Sequence, residues 1–269
     1  MRFFGFGLVA LVIASLSAYA TAINVDLGTA DSFAVLAGST VTNTNTPTIV
    51  HGDLGVSPGS AITGFPPGIV IGGTTHAADA VAMQAQSALT TAYNFAASEA
   101  CSLDLTGSDL GGHTLTSGVY CFSSSAQLTG TLTLNAQGNS NAVFVFKIGS
   151  TLTTASGSSV VFTNGGQGDS VFWQVGESAT LGTTTTFQGN ILALTSITLT
   201  TGANIGCGRA LARNGAVTMD NNLVSIDTEG CETSTPGGPT IPEPSTASLL
   251  LLIGAPALLW LRRIKSVHK

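Results

Sequence analysis

Threonine recurs in four short phrases in the second half of the chain, and its side chain offers both a hydroxyl and a methyl group. Side chains alternate between the two faces of a strand, so a strand here would bury its Leu or Met and expose the neighbouring hydroxyls. The chemistry indicated is a flat array of hydrogen-bonding groups beside methyl groups. The phrases are Thr151-Leu152-Thr153-Thr154, Thr180-Leu181-Gly182-Thr183, Thr198-Leu199-Thr200-Thr201 and Thr218-Met219-Asp220-Asn221.

The spacing of these phrases indicates how they are positioned. The last three begin 18 and 20 residues apart, which suits one coil of a β-solenoid, whose units bury their apolar faces by stacking. The first offset, 29 residues, is too long for one plain coil and predicts an insertion.

Catalytic chemistry finds little support in the sequence. His51-Gly52-Asp53 pairs a base with an acid but is typical of a turn, and the dispersed carboxylates show no paired spacing of the kind that hydrolases use. There is no Cys-x-x-Cys pair and there are only four His, so we expect no metal site. We therefore expect no catalytic residue, no cofactor and no enzyme activity. The carboxylates considered are Asp53, Asp104, Asp109, Asp169 and Asp220.

The charge of the chain excludes a further class of partner. Between residues 23 and 240 the cations are Lys147, Arg209 and Arg213, against thirteen of the fourteen acidic residues, a net charge of −10. Three scattered cations cannot neutralise a row of phosphates, so we expect no nucleic-acid partner.

Two periodicities describe the body of the chain, which we interpret as one domain over residues 23–233. Short apolar runs separated by Gly, Ser and Asn predict buried parallel strands on either side of residues 75–98. That segment lacks Gly and Pro and predicts one long helix over about 75–98, with Thr74 or Thr75 as N-cap. Its predicted buried positions are Val81, Ala85, Ala88, Ala92 and Phe95.

Both ends of the chain have the composition of targeting segments. Residues 1–22 predict a secretory signal peptide, with an apolar run after Arg2 and small residues before the cleavage site. Residues 234–245 form a linker with Pro242-Glu243-Pro244, and residues 246–269 predict an apolar helix followed by a basic cluster. We expect an exported protein at the cell surface or outside the cell, whose tail is either a sorting signal or a plain single-span membrane anchor.

Four cysteines in an exported chain predict disulfides, for which three pairings are open. We favour Cys101 with Cys121 and Cys207 with Cys231, because each pair closes a loop about as long as one coil.

Several ordered motifs resemble the microbial ice-binding β-solenoid family, and the resemblance spans residues 24–227. It implies a mostly β fold: a right-handed three-faced β-solenoid with one long helix alongside, and an N-terminal segment that completes the stack. The tail resembles the PEP-CTERM signal, which implies a processing enzyme of the exosortase type and membrane contact before processing. The motifs include Leu27-Gly28-Thr29-Ala30, Gly52-Asp53-Leu54-Gly55, Gly118-Val119-Tyr120, Phe172-Trp173-Gln174-Val175-Gly176 and Gly189-Asn190-Ile191-Leu192-Ala193.

In this family the ice-binding face is flat and poor in charge and sometimes carries the pattern Thr-Ala/Gly-x-Thr/Asn. Thr201-Gly202-Ala203-Asn204 matches the pattern in full. Thr154-Ala155-Ser156-Gly157 and Thr183-Thr184-Thr185-Thr186 match in part, whereas Asn221-Asn222-Leu223-Val224 departs from it. The resemblance therefore implies a face less regular than in strong ice binders.

We expect a monomer that adsorbs to ice crystals and inhibits their growth or recrystallisation. Stacked strands repeat at about 4.8 Å and same-face residues at about 6.6–7 Å, both near oxygen spacings of hexagonal ice. The alternative is an exported cell-surface or matrix adhesion protein without ice activity. The hypothetical ice-binding residues are Thr151, Thr153, Thr154, Thr180, Thr183, Thr185, Thr198, Thr200, Thr201, Asn204 and Thr218.

Overall fold

The computed structural model describes residues 25–44 and 47–226. Within these residues the chain passes repeatedly through three parallel sheets, which we call A, B and C, so that three successive strands make one coil. Short apolar runs give buried strands, and turns rich in Gly, Ser and Asn separate them. The fold is mostly β, with three faces, as predicted.

The strand bounds follow, sheet by sheet, for the described residues. Sheet A contains, in spatial order, β7 (Thr75–Ala77), β4 (Asp53–Val56), β1 (Phe33–Ala37), β22 (Ala210–Ala212), β19 (Asn190–Ala193), β16 (Val171–Val175), β13 (Phe144–Ile148), β10 (Gly118–Phe122) and β8 (Leu103–Asp104). Sheet B contains β11 (Ala126–Leu128), β14 (Leu152–Thr154), β17 (Ala179–Leu181), β20 (Ile197–Leu199), β23 (Val217–Met219), β2 (Thr40–Asn43) and β5 (Ala61–Thr63). Sheet C contains β6 (Ile69–Ile71), β3 (Ile49–His51), β24 (Leu223–Ser225), β21 (Asn204–Gly206), β18 (Thr186–Gln188), β15 (Ser159–Thr163), β12 (Thr131–Asn135) and β9 (Thr114–Thr116).

The N-terminal coil completes the stack. Strands β1, β2 and β3 pair in parallel with β22, β23 and β24 of the last coil. This confirms the expectation that the N-terminal segment returns beside the last coils.

Aromatic side chains fix the register of the coils from inside. Tyr120, Phe146 and Trp173 are successive partners in β10, β13 and β16. The Phe146 and Trp173 rings stack with centroids 3.9 Å apart, and the Trp173 Nε1–H donates to the Gln188 carbonyl at 3.0 Å. Since stacked rings in a close-packed interior resist sliding, the outer residues of the coils are held in register too.

Helix α1 (Ala80–Ser98) packs against sheet A. It begins later than predicted, because residues Thr75–Ala77 form β7 beside β4 and because Asp79, not Thr74 or Thr75, is the N-cap. The Asp79 side chain accepts from the Ala82 N–H at 2.9 Å. The predicted buried face is also rotated: Val81 is 46% and Phe95 36% exposed. The buried residues of α1 are Ala82, Ala85, Leu89, Ala92, Tyr93 and Ala96.

The cysteine predictions are confirmed as far as the described residues reach. Cys101 and Cys121 form a disulfide that ties the segment after α1 to sheet A. Cys207 is also disulfide-bonded, and its predicted partner Cys231 lies outside the described residues. So do the predicted signal peptide, the linker and the tail. In residues 25–44 and 47–226, no helix combines the length and the apolar character needed to cross a membrane.

Candidate functional site

Six threonines form one continuous row along the outer surface of sheet B. The pairs Thr153–Thr180, Thr180–Thr198, Thr198–Thr218, Thr218–Thr42 and Thr42–Thr63 are all in register. Each side chain is exposed or half-exposed. We call this row the threonine ladder, defined as Thr153, Thr180, Thr198, Thr218, Thr42 and Thr63.

The ladder follows from the three-residue strands of sheet B. In four of these strands, β14, β17, β20 and β23, the middle residue is threonine and its two neighbours point inward. Parallel strands lie about 4.8 Å apart, so the hydroxyls and methyls repeat at that distance along the stack. The hydroxyl oxygens of Thr42 and Thr63 are 3.2 Å apart. The threonine χ1 torsion is stiff, so the row is held in few rotamers.

A second row of small residues runs beside the ladder. Each member immediately precedes an inward residue of sheet B, so its side chain faces outward. The Thr151 hydroxyl donates to the Ser125 hydroxyl at 2.9 Å, which links two members of the row. Because these side chains are small, they do not project beyond the ladder threonines. The row consists of Ser125, Thr151, Ser178, Ser196, Ala216 and Thr40.

The corner from sheet B to sheet C carries other predicted residues. Thr183 and Thr201 are exposed there. The Thr200 hydroxyl donates to the Leu181 carbonyl at 2.8 Å, and the Thr201 hydroxyl to Asp220 Oδ2 at 2.6 Å. Asn204 lies in sheet C, where it pairs with Thr186 rather than with any strand of sheet B. The exposed and half-exposed members of the predicted set are thus divided among sheet B, its corner and sheet C.

Two of the predicted residues lie in the interior. Thr154 is 3% and Thr185 0% exposed, and their hydroxyl oxygens are 2.8 Å apart. Thr154 Oγ1 also accepts from the Gly182 N–H at 2.9 Å. Both residues are therefore corrections to the hypothetical surface: they stabilise the turn and cannot contact a ligand.

The register explains the error at Thr154. Thr153, not Thr151, pairs with Thr180, so the first threonine phrase is displaced by two residues from the alignment that its sequence indicates. Leu152 pairs with Ala179, and Thr154 then takes an inward position. This long coil contains a short 3-10 helix at Gly168–Ser170, consistent with the predicted insertion.

Sequence reasoning missed Thr42 and Thr63. They belong to the N-terminal coils, far along the chain from the other ladder residues. The signal was present in Thr40-Val41-Thr42 and Ala61-Ile62-Thr63, each of which places an apolar residue directly before the ladder threonine.

Asp53 and Asp109, which were considered for acid–base chemistry, have local roles in the described structure. Asp53 Oδ1 accepts from the Thr74 N–H at 2.7 Å. The backbone of Asp109 forms an isolated parallel β-bridge with that of Gln127 at the end of sheet B. Burial opposes the ionised form of Asp109, but hydrogen bonds from Thr129 and Gly111 outweigh it and lower its pKa. Among the described residues, no three His, Cys, Asp or Glu side chains are grouped closely enough to hold a metal ion.

Comparisons with known proteins agree on one group. A family model described as Ice-binding-like matches residues 35–225. The chain is 61% identical over 234 residues to an ice-binding protein of Nostoc sp. (strain HG1), covering 87% of this chain and 85% of the relative. A solved ice-binding protein from an Antarctic biological consortium is 46% identical with a TM-score of 0.73, covering 81% of this chain and 96% of that one. An ice-binding protein from Antarctomyces psychrotrophicus is 41% identical, also with a TM-score of 0.73, covering 76% and 99%.

Proposed function

The chain belongs to the ice-binding-like family, and from this premise we propose that it adsorbs to ice crystals through sheet B and thereby inhibits ice growth or recrystallisation. The observation that carries the choice of surface is the threonine ladder, which is continuous over six strands.

The geometry supports a simple mechanism. Methyl groups at a regular spacing restrict the water beside them, and the neighbouring hydroxyls anchor that water by donating and accepting hydrogen bonds. An ordered layer with spacings near those of ice can merge with a growing crystal. A flexible surface would have to lose conformational entropy on binding, whereas the ladder is already fixed by the stack.

The surface also lacks features that would oppose this contact. The ladder and the small row contain no charged residue, so adsorption does not require the desolvation of an ion. Acidic groups lie at the edges of this surface: Asp109 beside Gln127 at one end of sheet B, Asp220 at the corner, and Glu177, whose carboxylate accepts from the Ser150 hydroxyl at 2.8 Å. Non-catalytic action is part of this proposal.

The proposal includes export. Residues 1–22 would direct secretion, and the Pro242-Glu243-Pro244 tail would be handled at the membrane by an exosortase-like enzyme. Support for this part comes from the sequence of the two ends alone, both of which lie outside the described residues.

The test is a bulky substitution in the middle of the ladder. Thr198→Tyr places a ring between Thr180 and Thr218, and we expect uptake into a slowly growing ice hemisphere to be lost. Thr133→Tyr is the matched control, because Thr133 is a half-exposed strand residue of sheet C. Both variants are checked by circular dichroism. If folded Thr198→Tyr protein enters ice as well as the wild type, sheet B is not the binding surface; exclusion of folded wild type rejects ice binding itself.

A further inference from the structure

Thr184 adopts an unusual backbone conformation at the corner between sheets B and C. Its φ is 56°, in the left-handed region, which is a genuine outlier for a β-branched residue. The corresponding corners in neighbouring coils are Gly157, Gly202 and Asn221, with φ of 70°, 71° and 56°. Glycine and asparagine are the residues that take this conformation most readily.

Backbone hydrogen bonds establish that these corners are equivalent. The Gly157 N–H donates to the Thr183 carbonyl at 2.8 Å, and the Thr184 N–H to the Thr201 carbonyl at 3.1 Å. The Gly202 N–H continues the series to the Asp220 carbonyl at 3.1 Å. Each left-handed residue thus bonds to the residue that precedes the next corner. The fold requires the left-handed turn, but it does not require a threonine side chain there.

The side chain of Thr184 faces outward. Its hydroxyl donates to the Thr183 carbonyl at 2.7 Å, which commits the proton and leaves the oxygen as an acceptor. Its methyl group lies near Gly202, where an added Cβ would be 3.6 Å from Thr184 Cγ2. Thr184 is exposed, so it presents a fixed hydroxyl oxygen and methyl group, as the ladder threonines do.

The neighbours of Thr184 form a patch of the same chemistry, which we call the corner patch and define as Thr183, Thr184, Thr186, Thr201 and Asn204. Thr183 and Thr186 are exposed on either side of Thr184 along the chain. Thr186 pairs with Asn204 in sheet C. The patch joins the outer surface of sheet B, through Thr183 and Thr201, to that of sheet C.

We propose that the ice-contacting surface continues from the ladder around this corner, and that Thr184 keeps its unfavourable conformation because its side chain contacts ice. Unfavourable backbone conformations concentrate at functional sites, where stability is lost in exchange for a placed group. This inference rests on the proposed function. It predicts that stability and ice affinity change in opposite directions at this residue.

The experiment compares Thr184→Gly and Thr184→Asn with the wild type in the purified full chain. Both replacements fit the left-handed turn, so we expect the melting temperature to rise by about 2–4 °C and ice uptake to fall. The matched control is Gln137→Gly. Gln137 is also exposed with φ 54° but lies beyond β12, away from the corner. This control is expected to gain stability with unchanged ice uptake.

The outcomes separate the two proposals. If the wild type enters ice and both Thr184 variants enter it equally well, Thr184 makes no ice contact and the inference is wrong while the ladder proposal stands. Variants less stable than the wild type would contradict the unfavourable conformation on which the inference depends. A folded wild type that ice excludes would reject the proposed function first.

Discussion

Thr42 and Thr218 lie side by side in sheet B as Cα partners, although one belongs to the first coil of the chain and the other to the last. The junction between the coils therefore adds two residues, Thr42 and Thr63, to a ladder that the C-terminal coils begin. The outer surface of sheet B depends on the docking of the N-terminal coil, because without it the ladder would end at Thr218.

This relationship predicts that Thr42→Tyr weakens ice adsorption as Thr198→Tyr does. The ring would project from the same row, between Thr218 and Thr63, and would hold a flat crystal surface away from both neighbours. Ice uptake measures the effect.

A control variant in the same coil distinguishes obstruction of the ladder from loss of docking of the N-terminal coil. His51→Tyr lies in β3 on sheet C, so it alters the N-terminal coil without touching the ladder. Equal uptake by Thr42→Tyr and wild type would confine the functional row to the C-terminal coils.

The buried hydroxyls predict a different response. Thr154→Val keeps the shape of the side chain but leaves the Gly182 N–H and the Thr185 hydroxyl without the oxygen they contact. An unsatisfied buried polar group costs about 1–3 kcal/mol, so urea unfolding should show a loss of that size. Ice uptake of the folded variant should match the wild type, because Thr154 does not reach the surface. A fall in uptake at unchanged stability would place Thr154 on the binding surface after all.

Local alternation made most of the fold readable from sequence. Leu152, Leu181, Leu199 and Met219 are buried as predicted, because a period of two fixes which side chains of a strand face the core. The last three phrases also pair in the predicted register, at Thr180, Thr198 and Thr218. In physical terms, these parts of the site are decided by residues close in sequence.

The errors arose where a distant contact decides. The segment Thr75–Ala77 directly precedes a sequence of helical composition and was predicted to belong to the helix. Its pairing with β4 makes it a strand instead. The position of Thr154 depends on how the inserted residues of its coil are accommodated, which the phrase itself does not encode. Docking of the N-terminal coil onto the last coil was expected only from the family resemblance, since no local pattern specifies a partner so far along the chain.

Arg209 is predicted to hold the N-terminal coil in place. Its Nε and Nη2 groups donate to the Asp31 carbonyl at 2.9 and 2.7 Å, Nη2 also donates to Asp31 Oδ1 at 2.7 Å, and Nη1 donates to Asn190 Oδ1 at 2.8 Å. Arg209→Lys retains the charge but cannot make this fork of bonds. We expect a loss of about 1–3 kcal/mol in the free energy of unfolding and faster amide exchange in β1 and β2.

Arg213→Lys is the matched control for that prediction. Arg213 lies over the Tyr93 ring at 4.6 Å, and lysine can retain much of a cation–π contact, so its cost should stay below about 1 kcal/mol. Exchange in β1 and β2 that stays at the wild-type rate in Arg209→Lys would show that strand pairing alone secures the N-terminal coil.

The disulfide is predicted to stabilise the fold without taking part in ice contact. Cys101 and Cys121 are separated by 20 residues, and replacing both with alanine should cost about 2–4 kcal/mol in chemical unfolding. The pair lies on sheet A, where β10 pairs with the terminal strand β8, and close to the end of α1. It does not lie on sheet B. Ice uptake of the folded double variant should therefore be unchanged. Lost uptake with intact circular dichroism would show that this end of the molecule shapes the binding surface.

Asp79 is predicted to make the fold sensitive to acid. The hydrogen bond from the Ala82 N–H, followed by the contact of His76 Nδ1 with Asp79 Oδ2 at 2.7 Å, lowers the pKa of Asp79 below its ordinary value of 3.8. The ionised carboxylate thus stabilises the folded state above pH 3.8, and this contribution is lost as pH falls through the lower folded-state pKa. Asp79→Ala should have a lower melting temperature than the wild type at neutral pH, because it also removes the N-cap.

The decisive measurement is how the difference in melting temperature between wild type and Asp79→Ala depends on pH. The hydrogen bonds of Asp104 and Asp109 lower the pKa of those groups too, but they are present in both proteins and cancel in the comparison. The gap between wild type and Asp79→Ala should narrow as pH falls below 3.8. Asp79→Asn keeps an oxygen that can accept from the Ala82 N–H, so it should retain much of the helix cap at neutral pH while showing no titration of its own. A gap between wild type and Asp79→Ala that stays constant through this range would mean that the ionised carboxylate contributes no more than its neutral form.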